Sequence, residues 1–163
     1  MKALLCAVGF MIMFTVSGPA SAGEKITIGG VEEVVLVLLG IALPARIDTG
    51  SGLSSLGVCD FTVQGKMVEF RLPAKFGNLK LHLALKGWRR IKTTDGPGKR
   101  RPVVDLELRL GSVPLHTQVT LKDRSHMKYP LLIGRNTLQE GSFIVDVSQS
   151  YILSPEGRQE VLP

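Results

Sequence analysis

Apolar and polar positions alternate with a period of two along much of this chain, and helical spacing is scarce. Residues 79–86 (LKLHLALK) and 104–110 (VDLELRL) alternate strictly, and Gly111-Ser112 turns the second run back into 116–121. Such alternation marks strands with one buried face. Residues 61–70 read as a hairpin turning at Gly65. The unbroken apolar run 34–39, ended by Gly40, predicts a buried strand, and 43–47 leads a second strand into Asp48. A further apolar strand, 129–133, closes at Gly134. Residues 135–140 have room for one or two helical turns, 143–147 and 151–153 finish as strands, and 155–163 reads as a frayed tail. Short strands at regular spacing predict an all-β fold, a small barrel or sandwich.

The N-terminus has a different pattern. Lys2 precedes an apolar run over 3–16, and Ala20-Ser21-Ala22 offers a small-x-small cleavage site. The run is too short to cross a hydrocarbon core of about 30 Å as a helix. It predicts a signal peptide over 1–22, a periplasmic or secreted location, and no stable membrane insertion after cleavage. An uncleaved anchor is the competing reading. Cleavage leaves residues 23–163, enough for one domain with a real core. Cys59 is then the lone cysteine, so no intramolecular disulfide can form, and a buried, inert thiol is expected.

Charge adds one feature. The mature chain carries 19 Lys and Arg against 14 Asp and Glu, and six of the nineteen fall in 88–92 and 99–101. Between them lies a turn-rich segment, Thr93-Thr94-Asp95-Gly96-Pro97-Gly98, suited to the tip of a long hairpin. Such a basic loop either recruits an anionic partner or is simply solvated. Nucleic acid is not an expected partner outside the cytoplasm.

Several chemistries fail on spacing. His82, His116 and His126 are scattered without metal-ligand spacing, and no zinc-protease motif occurs. Gly98-Lys99 lacks the upstream glycine and downstream hydroxyl of a phosphate loop, with Thr93 and Arg100 in those places. Gly50-Ser51-Gly52 lacks the spacing of a serine-hydrolase elbow. No metal or cofactor is therefore expected.

Asp48-Thr49-Gly50 remains. Peptide hydrolysis by aspartates needs two carboxylates sharing one proton, with one activating water while the other protonates the carbonyl oxygen. Strand ends in tight turns can bring two such groups about 3 Å apart. Glycine permits the close backbone approach, and a threonine hydroxyl can lock the turn. Residues 131–136 (LLIGRN) supply an apolar-apolar-Gly pattern suited to backing that turn.

Together the motifs 45–50 (ARIDTG), 100–104 (RRPVV), 121–127 (LKDRSHM), 131–135 (LLIGR) and 143–146 (FIVD) resemble the bacterial retropepsin-like aspartic endopeptidases, long labelled as ATP-dependent zinc proteases. The resemblance covers about 32–154. It implies a closed acid-protease barrel with one short helix near the C-terminus. Asp48 would be the catalytic carboxylate, and Thr49 and Gly50 would shape its turn. Gly96 to Gly98 would form a flap tip, and Arg100, Arg101, Arg124 and Ser51 would be candidates for contact with a peptide or protein substrate. Gly134 would pack beneath the turn, and Arg135 would act as a structural ion-pairing residue.

Two departures stand out. Many relatives carry Ala-Arg-Thr-Ser after the tripeptide, where this chain has Ser51-Gly52-Leu53-Ser54. Some cytoplasmic relatives act with peptide ligases on glutamate tails, a substrate the predicted leader argues against carrying over. One Asp-Thr-Gly per chain implies a homodimer with one Asp48 from each subunit. The alternative is a non-catalytic module of the same fold that binds an anionic partner through the basic loop.

Overall fold

The computed structural model describes residues 25–93, 96–124 and 126–153. The expected leader and the tail from 154 lie outside them, as do Thr94, Asp95 and Ser125.

Alternation translates directly into inward and outward faces. In β2 (Val31–Leu36) every second residue is buried, which turns Glu32, Val34 and Leu36 inward. The expected strand over 34–39 stops at Leu36. Residues Val37–Leu39 form a 3₁₀ turn, and Gly40 (φ 64°) reverses the chain so that Leu36 pairs with Ile41 on β3 (Ile41–Ile47). Val37 and Leu38 are left exposed at that turn. A strand not read from the pattern, β1 (Ile26–Gly29), precedes β2 and pairs in parallel with β12 (Phe143–Asp146).

After the Asp-Thr-Gly turn comes β4 (Ser54–Val58), buried at all five positions, and then a three-stranded antiparallel sheet. That sheet is β5 (Asp60–Gln64), β6 (Met67–Arg71) and β7 (Lys80–Ala84), and its first hairpin turns at Gly65 (φ 59°) as the sequence predicts. Cys59, at the β4–β5 junction, is exposed, which corrects the expectation of a buried thiol. The chain bends there to pass from one sheet to the other, carrying the side chain outward.

β8 (Gly87–Thr93) and β9 (Gly96–Leu110) form a long antiparallel hairpin from the basic segment, and β9 turns at Gly111 into β10 (Val113–Asp123). Then follow β11 (Leu131–Ile133) and α1 (Arg135–Glu140), the single α-helix among the described residues. The main sheet runs β10-β4-β11-β3-β2-β9-β8, and β10 also pairs with β9. Pairing thus returns to its starting strand through six members, with β8 added at the edge. The fold is mostly β, and its core is the apolar set inside this ring, including Val34, Leu43, Leu56, Val104, Val119 and Ile133. Fully burying one such side chain contributes about 1.5–3 kcal/mol.

Residues 151–153 depart from the expected strand. Tyr151 has φ 58°, and the amides of Ile152 and Leu153 donate to the Glu32 carboxylate at 3.0 and 3.2 Å. The Glu32 side chain satisfies these two amides, while the Tyr151 amide donates to the Val31 carbonyl of β2 at 2.7 Å.

Candidate active site

β11 is the element that builds the site. It lies between β3, to which it is parallel (Ile133 opposite Ile47), and β4, to which it is antiparallel (Leu132 opposite Ser55). The Ile133 carbonyl accepts from the Asp48 amide at 2.9 Å. The turn after β3 is therefore pinned to the strand before α1. At Gly134 a Cβ would stand 2.6 Å from the Leu53 carbonyl carbon and 2.7 Å from its oxygen. Only glycine fits that approach without displacing backbone.

The Asp48 carboxylate turns back on its own loop. Oδ1 accepts from the amides of Gly50 (2.9 Å) and Ser51 (3.2 Å), and Oδ2 accepts from the Ser51 hydroxyl at 2.7 Å. These donors, led by the Ser51 hydroxyl, hold the carboxyl below its ordinary range against the opposing effect of burial, and Arg46 adds to the lowering. Asp48 is partly buried while Thr49 and Gly50 are exposed. The hydroxyl bonded to the carboxylate is that of Ser51; Thr49 contributes its carbonyl.

That carbonyl meets Arg135. From the first residue of α1, Arg135 Nη1 donates to the Thr49 and Gly50 carbonyl oxygens, both at 2.8 Å. Its backbone amide donates to the Ser51 carbonyl at 2.9 Å. Arg135 thus supports the turn by holding the peptide oxygens of its loop.

Behind the turn lies a polar cluster that spacing did not reveal. Ser54 donates its backbone amide to Asn136 Oδ1 at 2.9 Å, and its hydroxyl accepts from the Gly134 amide at 2.9 Å. Asn136 Nδ2 donates to the Thr117 hydroxyl at 2.7 Å, and the Thr137 hydroxyl contacts both Ser54 (2.6 Å) and Thr117 (2.8 Å). Inward Ser and Thr on strands, together with Asn after Gly-Arg, were the available signals. Paired in this way, buried polar groups fix geometry while their hydrogen bonds offset the cost of leaving water.

A cleft of about 630 Å³ opens beside Asp48, lined also by Arg46, Ile47, Thr49, Arg124, Met127, Lys128, Tyr129 and Leu132. Its charged lining is cationic apart from Asp48. Arg124 is half-buried, donates from Nη1 to Met127 Sδ at 3.4 Å, and keeps its Nε buried without a partner. Burial and the neighbouring Arg101 lower the Arg124 pKa, and Asp48 partly restores it. Lys122 is likewise lowered, by burial first and then by Arg101, Arg124 and Lys99.

Of the residues singled out in the sequence, Asp48, Thr49 and Arg124 line this cleft, and Gly50, Ser51, Gly134 and Arg135 form the turn and its support. Gly96, Gly98, Arg100 and Arg101 lie on β9 in the long hairpin, and the last three do not line the cleft. Arg100 instead stacks over Trp88, 5.2 Å from the ring centroid. No group of His, Cys, Asp and Glu able to hold a metal occurs among the described residues.

A mostly β chain with an Asp-Thr-Gly turn pinned over a strand and Gly-Arg helix start belongs to the retropepsin-like class. The chain matches the family described as RimB-like, Retropepsin-like aspartic endopeptidase RimB, over residues 27–156, and belongs to that family. It is 30% identical over 147 residues to proteins named "Probable alpha-L-glutamate ligase" from Shewanella pealeana and Shewanella halifaxensis. The match takes in 85% of this chain but 32% of theirs, so the chain spans about a third of the length of these curated relatives. The crystal structure of Lpg0085, a protein of unknown function (DUF785) from Legionella pneumophila, is similar with a TM-score of 0.70 and 28% identity. That likeness covers 80% of this chain and 99% of the other.

Proposed function

We propose that the chain is an aspartic endopeptidase in which Asp48 activates water, with a second Asp48 supplied by another copy across a two-fold axis. The carrying observation is the turn itself: Asp48 stands at the end of β3, tied by Ile133, Arg135 and its own loop amides, with a cleft beside it. In this reading the six-strand ring is the closed barrel of the acid-protease type, and β8–β9 is the flap. The paired carboxylates share a proton and titrate as a unit. Arg46, Arg124 and Lys128 in the lining support a substrate segment bearing carboxylates, argued from the cleft's charge. Export through residues 1–22 is part of the proposal and rests on the leader pattern alone.

The test is cleavage of a peptide library containing acidic and neutral members by the wild-type protein and by Asp48→Asn. Cleavage by the wild type that disappears in the variant is expected. Equal cleavage by both proteins sinks the assignment. A second reading is favoured by the exposed Arg89, Arg90, Lys99 and Arg100 of the hairpin: a non-catalytic module holding an anionic partner. Salt-sensitive binding that ignores Asp48 and vanishes when Lys99, Arg100 and Arg101 are replaced would select it.

A further inference from the structure

A row of cations crosses three neighbouring strands beside the cleft. Thr120 on β10 pairs with Val103 on β9, and two residues further along these antiparallel strands come Lys122 and Arg101. On the other side of β9, Arg101 has Arg89 of β8 directly opposite. Cross-strand partners share a face, so the three side chains leave the sheet together, and Lys99, two residues from Arg101, joins them. Like charges set opposite each other destabilise a sheet.

The β4 side adds a further cation. Lys122 is paired there with Gly57, which has no side chain, and Arg124 packs into the space left. A Cβ at Gly57 would stand 2.7 Å from Arg124 Cβ. Arg124 Nε is buried without a partner. Arg101, Lys122 and Arg124 are each half-buried, so their charges have lost part of their hydration while facing one another. The acids acting on them are Asp123, beside Lys122, and Asp48, near Arg124, and they do not balance the cluster. Burial lowers the pKa of all three, and Arg101, Arg124 and Lys99 lower that of Lys122 further.

We propose that Arg101, Lys122 and Arg124 form a binding site for a phosphate-class oxyanion, between the β8–β9 hairpin and the rim of the cleft. A tetrahedral dianion offers acceptors in several directions and offsets two charges at once, whereas a lone carboxylate offsets one. The two guanidiniums present forked donors to it, and Lys122 a point charge. Arg124 also lines the Asp48 cleft, so the site adjoins the proposed substrate path, yet it requires neither Asp48 nor a second copy. An anion held there bridges the hairpin to β10.

The experiment follows thermal unfolding and amide shifts of the full chain titrated with inorganic phosphate or glycerol phosphate, with chloride holding ionic strength constant. Saturable binding is expected, with shifts at Arg101, Lys122 and Arg124, and the tighter probe tells a free anion from an esterified one. Arg101→Gln and Lys122→Gln are each expected to weaken binding about tenfold or more, as losing a charged donor does. Without phosphate both variants should melt no lower than the wild type, because they remove repulsion. Arg90→Gln, paired with Arg100 on the opposite face of the hairpin, is expected to bind like the wild type. Phosphate acting no better than chloride overturns the proposal, as does glutarate binding as tightly as phosphate, or equal weakening in Arg90→Gln. Glutamine variants that melt lower without ligand also overturn it, since the cations would then serve the fold.

Discussion

Arg135 and Thr49 are 86 residues apart in sequence, yet Arg135 Nη1 donates to the Thr49 carbonyl at 2.8 Å and to that of Gly50 at the same distance. One guanidinium nitrogen thus closes the loop that presents Asp48. Replacing Arg135 with alanine releases two carbonyl oxygens to water but leaves the backbone bond to Ser51 intact. The side chain is exposed, so the cost in stability is expected near 1 kcal/mol, below the usual range for charged donors. The turn should loosen more than the fold. Urea unfolding is expected to show the small shift, while peptide cleavage falls mainly through kcat. A kcat equal to that of the wild type would contradict the positioning role.

Gly134 makes a sharper prediction, because its φ of −95° is ordinary for any residue. Strain plays no part, and contact alone decides. An added Cβ would meet the Leu53 carbonyl group at 2.6–2.7 Å and the Ser54 amide nitrogen at 2.9 Å, all of them backbone atoms. Backbone cannot rotate aside like a flexible side chain. Gly134→Ala is expected to destabilise the protein by about 1–3 kcal/mol, as overpacking does. The same movement would push Ser54 off Asn136 and shift the Asp48 turn. Thermal unfolding checks the first effect, and the amide shifts of Gly50 and Ser51 check the second.

These two contacts show what pattern reveals and what it hides. β7, β9 and β10 were legible because each alternates against a single buried face, and the Gly-Arg pair after an apolar strand marked the support of the turn. β4 was not legible. Its Ser-Ser-Leu-Gly-Val is buried throughout, and Ser54 is acceptable inside because Gly134, Asn136 and Thr137, 80 or more residues away, satisfy its amide and hydroxyl. Local sequence carries no sign of a partner at that distance. The same limit hid Glu32: a carboxylate in an alternating strand reads as outward, and its solution lies near the other end of the chain. Arg135 was legible as support but not in its chemistry, since carbonyl acceptors have no signature in sequence.

Asp48 links the site to stability through pH. Its carboxyl is held below the ordinary 3.8, chiefly by the Ser51 hydroxyl, so the folded state favours the ionised form more than the unfolded state does. The stabilisation is then fully present above the ordinary value and is lost as pH falls through the lower folded value. Asp48→Asn removes this dependence. Between neutrality and the ordinary carboxylate range, the two proteins should differ by a constant offset. Below that range the wild type should lose its advantage while the variant shows no matching loss. Melting temperatures of both proteins across an acid series test this, and parallel curves throughout would refute it.

Glu32 yields the last prediction. Its side chain is fully buried, and three backbone amides hold its carboxylate. Gly29 donates to Oε1 at 2.6 Å, Ile152 to Oε1 at 3.0 Å and Leu153 to Oε2 at 3.2 Å. The carboxylate thereby ties the β1–β2 turn to the segment after β12, beside the bond from the Tyr151 amide to the Val31 carbonyl at 2.7 Å. Alanine would leave three donors without an acceptor and open a cavity. At about 1–3 kcal/mol for each buried group left unsatisfied, less what entering water restores, a loss of about 3 kcal/mol is expected. Glutamine keeps one oxygen but turns an amide donor toward donors, so it should recover only part of that. Hydrogen exchange localises the effect: in Glu32→Ala the Ile152 and Leu153 amides should exchange faster than the strand amides of β9 and β10. Uniform acceleration across the chain would show that Glu32 acts on global stability and not as a latch for this segment.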